Sequence, residues 1–555
     1  MRTKDLIAKR LRREKAIERK NRNKQQVAQQ RTTTEMRDVE YILPTGFSDE
    51  VLNEVKQLPN QSISQNEVMR RRDMRDLLTF TIDPDEAKDF DDALSFQILD
   101  TGNYQVGIHI ADVTHYVQEQ TALDDEAYQR GTSVYLVDRV IPMLPERLSN
   151  ELCSLRSDED KLCMSVIVEM DQQAKVIRHK ICRTVIRSNY RLTYRQAQDL
   201  LENSIQLKVD SGQLREALQV LNGLAKQLRT NRFRQGAINF ETPEVHFRLD
   251  EHNEPVEIFF HNSLDTNHLI EEFMLLANRI VATAIGKVKG ENGKVKADNG
   301  EVKKSEEAKP MVYRVHDNPD PEKIGKLSTF IKRFGLNLKV SSNSKTTHKH
   351  INALLDDSQG MPCQTLVETL TIRSMAKAVY STDNIGHYGL AFPYYTHFTS
   401  PIRRYPDMMV HRLVSRYLLQ SKAKCRADKE ELEQACVHCS ECELAAQMAE
   451  RDSIKEMHAR WISSHLGEEF DAIISGVTEF GLFVQLTDTM TEGLVPIRTI
   501  EPHDYMQFDE ENYCLIAARS GNTYTLSDKV RVRVTKVDIE RKLIDFVLVE
   551  HEEYR

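Results

Sequence analysis

An α+β fold in several domains is predicted by three features of this sequence: period-two strands early in the chain, helical periodicity through its middle, and a final run of short strands. Its 555 residues exceed what one hydrophobic core holds, and the usual domain size predicts roughly three to five units. Apolar residues make up 40% and charged residues 29%, and no apolar run approaches the roughly 18 residues of a membrane span, so a soluble protein without a membrane role is expected. Nine cysteines do not make a disulfide scaffold at this length, and no apolar core follows the basic N-terminal residues, so the expected location is cytoplasmic. A net charge of -9 excludes blanket affinity for polyanions and leaves local patches to decide where one docks.

Residues 1–42 read as a basic, mobile arm: residues 1–31 hold twelve Lys or Arg against three Asp or Glu, with apolar residues too sparse for a core. Residues 43–78 read as a short helical linker, with Asp49 capping a helix over Val51–Leu58. A central body over 79–465 begins where Leu78, Phe80 and Ile82 alternate on one face. Further strands are predicted at Ala93–Ile98, Tyr104–Ile110, Val134–Ile141, Met164–Met170 and Val176–Ile186, and helices at Tyr194–Glu202 and Leu214–Asn231. An insertion at 287–309 repeats KVKGENG imperfectly and has too little apolar content to offset the entropy of ordering. Helical pattern dominates 321–465, broken by the aromatic and proline-rich stretch 386–406. Five short strands punctuated by Gly and Asp over 466–550 suit a small OB-fold β-barrel.

The chemistry concentrates between the first two strands, where six acids occupy the ten positions Asp83 to Asp92. Like charges this close raise one another's pKa unless a cation neutralises them. Oxygen donors without His or Cys point to Mg²⁺, with Mn²⁺ as the second choice, and the calcium-loop pattern with its sixth-position Gly is absent. Two such ions, about 3.5–4 Å apart, can activate a water and stabilise the leaving oxygen of a phosphodiester. The plain alternative is an acidic surface loop. Arg403 and Arg404 follow a Ser-Pro turn and offer planar guanidinium groups to a phosphate; the alternative is an ion pair with Asp407. Tyr135 and Phe240 are isolated aromatics whose default role is core. Cys436, Cys439 and Cys442 near His438 have zinc-like spacing, but a second pair is lacking and packing on one helix face is preferred. His109 reads as a core histidine with satisfied bonds, and Asp112 as support behind the acids. Near the C-terminus Phe480 and Phe483 flank a turn, and with Lys529, Arg531 and Arg533 they suit single-stranded RNA, Phe483 also fitting a barrel core.

Several blocks together resemble the ribonuclease II and ribonuclease R family: Thr81-Ile82-Asp83-Pro84, Lys88-Asp89-Phe90-Asp91-Asp92-Ala93, Gly107-Ile108-His109-Ile110-Ala111-Asp112-Val113, Leu269-Ile270-Glu271-Glu272-Phe273-Met274, Tyr313-Arg314-Val315-His316 and His397-Phe398-Thr399-Ser400-Pro401-Ile402-Arg403-Arg404-Tyr405-Pro406-Asp407. The resemblance covers 43 to 550. It implies an RNB-type catalytic domain, a mixed sheet with surrounding helices, followed by an S1-type OB-fold domain. It further implies processive hydrolysis of single-stranded RNA from the 3′ end to 5′-mononucleotides, with metals on Asp83, Asp89, Asp91 and Asp92 and Asp91 tied to the chemical step. Arg403 would be the catalytic arginine and Glu443 the active-site glutamate, with Glu450 two turns along the same helix as the fallback. Tyr135 and Phe240 would stack the terminal bases, and Arg404 and Tyr313 would join the RNA-binding set. The family carries two cold-shock domains ahead of the catalytic one, where only about 80 residues stand here. A monomer is expected, with the basic arm or a separate chain supplying the missing RNA-guiding contacts. A regulatory homologue with a silent nuclease site is the alternative; the presence of all four aspartates, Arg403 and Glu443 argues against it.

Overall fold

The computed structural model describes residues 44, 46–59, 63–202, 204, 212–238, 244–261, 263–286, 295–296, 302–303, 309–339, 344–361, 363–419, 427–510 and 512–549. The basic arm, Phe240 and most of the 287–309 insertion lie outside them.

The central body is built on a seven-stranded mixed sheet. Its strands are β1 (Arg72–Asp73), β2 (Thr79–Asp83), β3 (Asp92–Ile98), β4 (Tyr104–Ala111), β7 (Asp160–Met170), β8 (Val176–Arg187) and β9 (Tyr190–Thr193), in the order β1-β8-β7-β4-β3-β2-β9. A separate hairpin pairs β5 (Val134–Tyr135) with β6 (Val140–Ile141). The expected unbroken strand over Val134–Ile141 turns back on itself, because Leu136 donates its N–H to the Arg139 carbonyl at 2.9 Å and closes a turn. The middle strands β4 and β7 are almost wholly buried, as strands covered on both faces must be. The helices Gly212–Gln235 and Asp265–Gly286 contribute Leu214, Leu218, Leu221, Leu269 and Phe273 to the same core.

Two expectations change here. The first helix, Asp49–Gln57, is capped by Ser48 rather than Asp49: Ser48 has extended dihedrals and its Oγ accepts the Val51 N–H at 3.3 Å, which leaves Asp49 inside the first turn. Val51 and Val55 of this helix are buried in the main core, so the segment read as a linker packs as part of the central body.

The last strands form a closed five-stranded barrel, Glu469–Thr478, Gly481–Leu486, Glu492–Pro496, Leu543–Leu548 and Lys529–Asp538. The 35-residue helix Lys429–Ser463 ties barrel to body. Cys436 and Cys439 near its start lie in the body's core, while Ala459 and Ile462 near its end lie in the barrel's. Between them His458 accepts or donates a 2.8 Å bond with Thr491 Oγ1 from the barrel. Among the described residues no helix is long and apolar enough to cross a membrane.

Candidate active site

Antiparallel pairing of β2 with β3 sets the site. The register Phe80↔Leu94 brings the C-terminal end of β2, at Asp83, beside the N-terminal end of β3, at Asp92, and the loop between them carries Asp89 and Asp91. β4 anchors this loop from the other side, where Ala111 donates its N–H to the Asp91 carbonyl at 2.9 Å. The end of β4 is itself held by Asp112, fully buried and 2.7 Å from the Arg71 guanidinium. Although burial alone raises its pKa, Arg71 and Arg183 hold the Asp112 carboxyl below its usual range. His109 matches expectation: its Nδ1 and Nε2 lie 2.7 and 2.8 Å from the Ser165 and Ser95 hydroxyls, and burial lowers its pKa to about 3.

The four aspartates behave as a desolvated cluster. Burial, then the charge of Asp92, pushes Asp83 up to about 8, and burial lifts Asp92 to about 6 against the pull of Arg403. Burial raises Asp89 and lifts Asp91 well above the carboxylate range, with Arg403 opposing both. Asp91 Oδ1 accepts the Ile402 N–H at 2.9 Å, whereas Oδ2 of Asp83 and Oδ2 of Asp91 are buried without a hydrogen-bond donor. Acceptor oxygens that have lost water and gained no donor are the kind of group a cation satisfies. Among the described residues no three His, Cys, Asp or Glu side chains close a metal cage by themselves. That is compatible with Mg²⁺, which typically takes one or two carboxylates and completes its shell with water and substrate phosphate.

Arg403 and Arg404 part company. Arg403 Nε sits 3.4 Å from Asp91 Oδ2, and its side chain is 42% exposed, open to a ligand above the acids. Arg404 grips Asp407 with two bonds of 2.9 and 2.8 Å, the ion-pair alternative for this residue, and Asp407 also accepts the Ser400 N–H. Its guanidinium thereby shapes the 400–407 turn.

Tyr135 leans over the acids, its hydroxyl 3.4 Å from Asp89 Oδ2 and its backbone N–H donating to Glu450 Oε1 at 3.2 Å. Glu443 is engaged elsewhere, paired with Arg314 by bonds of 2.6 and 3.0 Å, so Glu450 is the glutamate that touches the Tyr135 strand. Tyr313 departs from its expected RNA-binding role: at 6% exposure it belongs to the core, packed against Gly286, where a Cβ would collide with its hydroxyl. Cys436 and Cys439 are buried, and desolvation raises both thiols. In the barrel, Phe480 is 64% and Phe483 38% exposed. Of the basic residues grouped with them, Arg531 and Arg533 pair with Glu469, seven residues (roughly 20 Å of strand) from the Gly476 that faces Phe483, whereas Lys529 stands opposite Ile473, three residues from it.

Two neighbours of the acids carried no sequence signal. Tyr194 stands just past Thr193, which the parallel β2–β9 register sets opposite Asp83, and after burial the charges of Asp92 and Asp83 raise its hydroxyl. Arg191 donates to the Pro84 and Asp85 carbonyls at 2.7 and 2.9 Å and pins the start of the loop. Both contacts depend on a pairing between segments about a hundred residues apart, which local periodicity does not encode.

Comparison with known proteins identifies the two domains that carry these elements. The RNB domain family model matches residues 71–420 and the S1 RNA binding domain model residues 465–548. The sequence is 40% identical over 510 residues to ribonuclease R of Aquifex aeolicus, covering 92% of this chain and 69% of that protein. It is also 40% identical over 515 residues to ribonuclease R of Thermotoga maritima, again covering 92% of this chain and 69% of the relative. Among solved structures, Mycoplasma genitalium RNase R in complex with ribose-methylated single-stranded RNA superposes with a TM-score of 0.81 at 28% identity, covering 91% of this chain and 76% of that one.

Proposed function

The chain belongs to the ribonuclease R family of RNB-domain proteins and is an exoribonuclease, and from that premise we propose that it degrades single-stranded RNA processively from the 3′ end, releasing 5′-mononucleotides, with two Mg²⁺ ions held by Asp83, Asp89, Asp91 and Asp92. The observation that carries this reading is the desolvated carboxylate cluster with its two donorless buried oxygens, facing a half-exposed arginine. When bound, the divalent ions supply activation of the attacking water and charge neutralisation at the leaving oxygen.

The chain's own residues do the rest. Ile402 N–H fixes the orientation of Asp91, and Arg403 turns its guanidinium onto the non-bridging oxygens of the scissile phosphate. Tyr135 stacks a base near the terminus, which tolerates any sequence as a general degrader requires, and Phe480 and Phe483 receive the strand on the barrel. The likeness to an RNA-bound RNase R supports single-stranded RNA as the ligand. The eight described cysteines are all free, which fits work in a reducing cytoplasm.

RNA labelled at its 5′ end tests the proposal. Progressive shortening with Mg²⁺, and none with chelator, is expected. Products that keep the 5′ label at mononucleotide size from the first time points would reverse the direction, and binding without shortening would favour a regulatory homologue.

A further inference from the structure

The loop carrying Asp89 and Asp91 has little internal bonding to define it: Ala87 donates to the Pro84 carbonyl at 3.2 Å, and the remaining anchors come from outside. One of these anchors is unlike the others. Ser154 is fully buried, and its hydroxyl donates to the Lys88 carbonyl at 2.7 Å while accepting the Phe90 N–H at 3.0 Å. A serine hydroxyl has a single hydrogen to give and lone pairs to receive, so here one atom ties both peptide groups that flank Asp89. The next residue adds a third tie, the Leu155 N–H donating to the Phe90 carbonyl at 3.0 Å.

We infer that Ser154 is a positioning residue for the cation site: by clamping the peptides on either side of Asp89 it fixes the direction in which that carboxylate leaves the loop. The Asp89 side chain leaves the loop from between these two clamped peptides, so the shape of the loop and the aim of the side chain are one variable. Ser154 touches neither the acids' oxygens nor any surface a strand of RNA could reach. Its effect is therefore on metal affinity, with RNA affinity left alone. This assignment rests on the metal reading above.

Mn²⁺ binding to the full chain without RNA, followed by calorimetry or electron paramagnetic resonance, tests it. Ser154→Ala should weaken Mn²⁺ binding by roughly 10- to 100-fold, the range for partners that orient a ligand. Turnover should recover at high metal with KM for RNA unchanged. Ser165→Ala is the matched control, since Ser165 is equally buried and its hydroxyl bonds His109 and Thr184 within the same sheet, away from the loop. Its Mn²⁺ affinity should stay within about twofold of the parent. If alanine at 154 does not fold, Ser154→Cys fills the space with a weak donor and is judged by the same criteria. Parental affinity in the Ser154 variant, or equal weakening in both variants, would overturn the assignment alone; a parent that binds no Mn²⁺ would overturn the metal reading and this assignment with it.

Discussion

Replacing Asp91 by Asn separates the chemistry of the acid cluster from its cost to the fold. The side chain is 5% exposed, its Oδ1 takes the Ile402 N–H at 2.9 Å, and its Oδ2 has only the Arg403 guanidinium, at 3.4 Å. Asparagine keeps the shape and the Oδ1 acceptor and removes one negative charge. Because burial holds the Asp91 pKa well above the carboxylate range, the ionised form is disfavoured in the metal-free protein. Neutralising it should therefore leave the stability of the metal-free protein, read from its melting temperature, unchanged or raised by no more than about 1 kcal/mol. Hydrolysis should move the other way. Loss of a preorganised charge at the reacting centre costs roughly 3–4 kcal/mol, about 10²- to 10³-fold in rate. Single-turnover shortening of 5′-labelled RNA, beside thermal melts in chelator, measures both. A parental rate in Asp91→Asn, or a melting temperature depressed together with the rate, would refute the reasoning; the first removes Asp91 from the chemistry, and the second makes its role structural.

The two adjacent arginines should part in the same pair of assays. Arg403→Ala should keep its stability and lose about 10²-fold in rate, whereas Arg404→Ala, which strands the fully buried Asp407, should lose about 3–5 kcal/mol of stability. Asp112→Ala takes the buried carboxylate from the Arg71 guanidinium and leaves it Glu67 and the Cys163 carbonyl, so it should cost about 1–3 kcal/mol, read by chemical denaturation. Tyr135→Ala should lengthen the final undigested fragment with little change in initial rate, and an identical fragment on a sequencing gel would exclude stacking at that residue. Burial lowers the His458 pKa to about 4, below the ordinary value of 6.5, so folding favours its neutral form. That preference is fully in force above pH 6.5 and turns into a destabilisation as pH falls from there toward 4, worth about 2 kcal/mol at pH 5. His458→Gln should flatten the fall in melting temperature between pH 7 and pH 5, and parallel profiles would show that this histidine does not contribute.

How much of the site was legible depended on how local each contact is. Asp83 and Asp92 could be read because a β-hairpin of neighbouring strands must bring its two ends together, and the acids sit at those ends. His109 could be read because a lone histidine inside an apolar strand has to find partners across the sheet. Spacing alone left the roles of Arg403 and Arg404 as alternatives, because one turn of backbone sends the first toward Asp91 and the second back onto Asp407. Glu443 and Glu450 share a helix face, and which of them meets Tyr135 is decided by where the β5–β6 hairpin docks on that helix. Tyr313 was misjudged because a tyrosine in a short strand has the same local pattern whether it faces a groove or a core.

Composition, periodicity and motif order by themselves determined the α+β class, the terminal barrel and the acid-rich loop on which a cation site is proposed. These follow from properties that act within a few residues: alternation across a strand, charge density in a loop, and the oxygen donors of aspartate. Tertiary structure alone decided which arginine turns toward Asp91 and stays half-exposed, that Tyr194, Arg191 and Ser154 surround the acids, and that the barrel's arginines are spent on Glu469 rather than standing beside Phe480. Those outcomes depend on which distant segments pack together, and burial then sets the charge and hydrogen-bond state of each side chain.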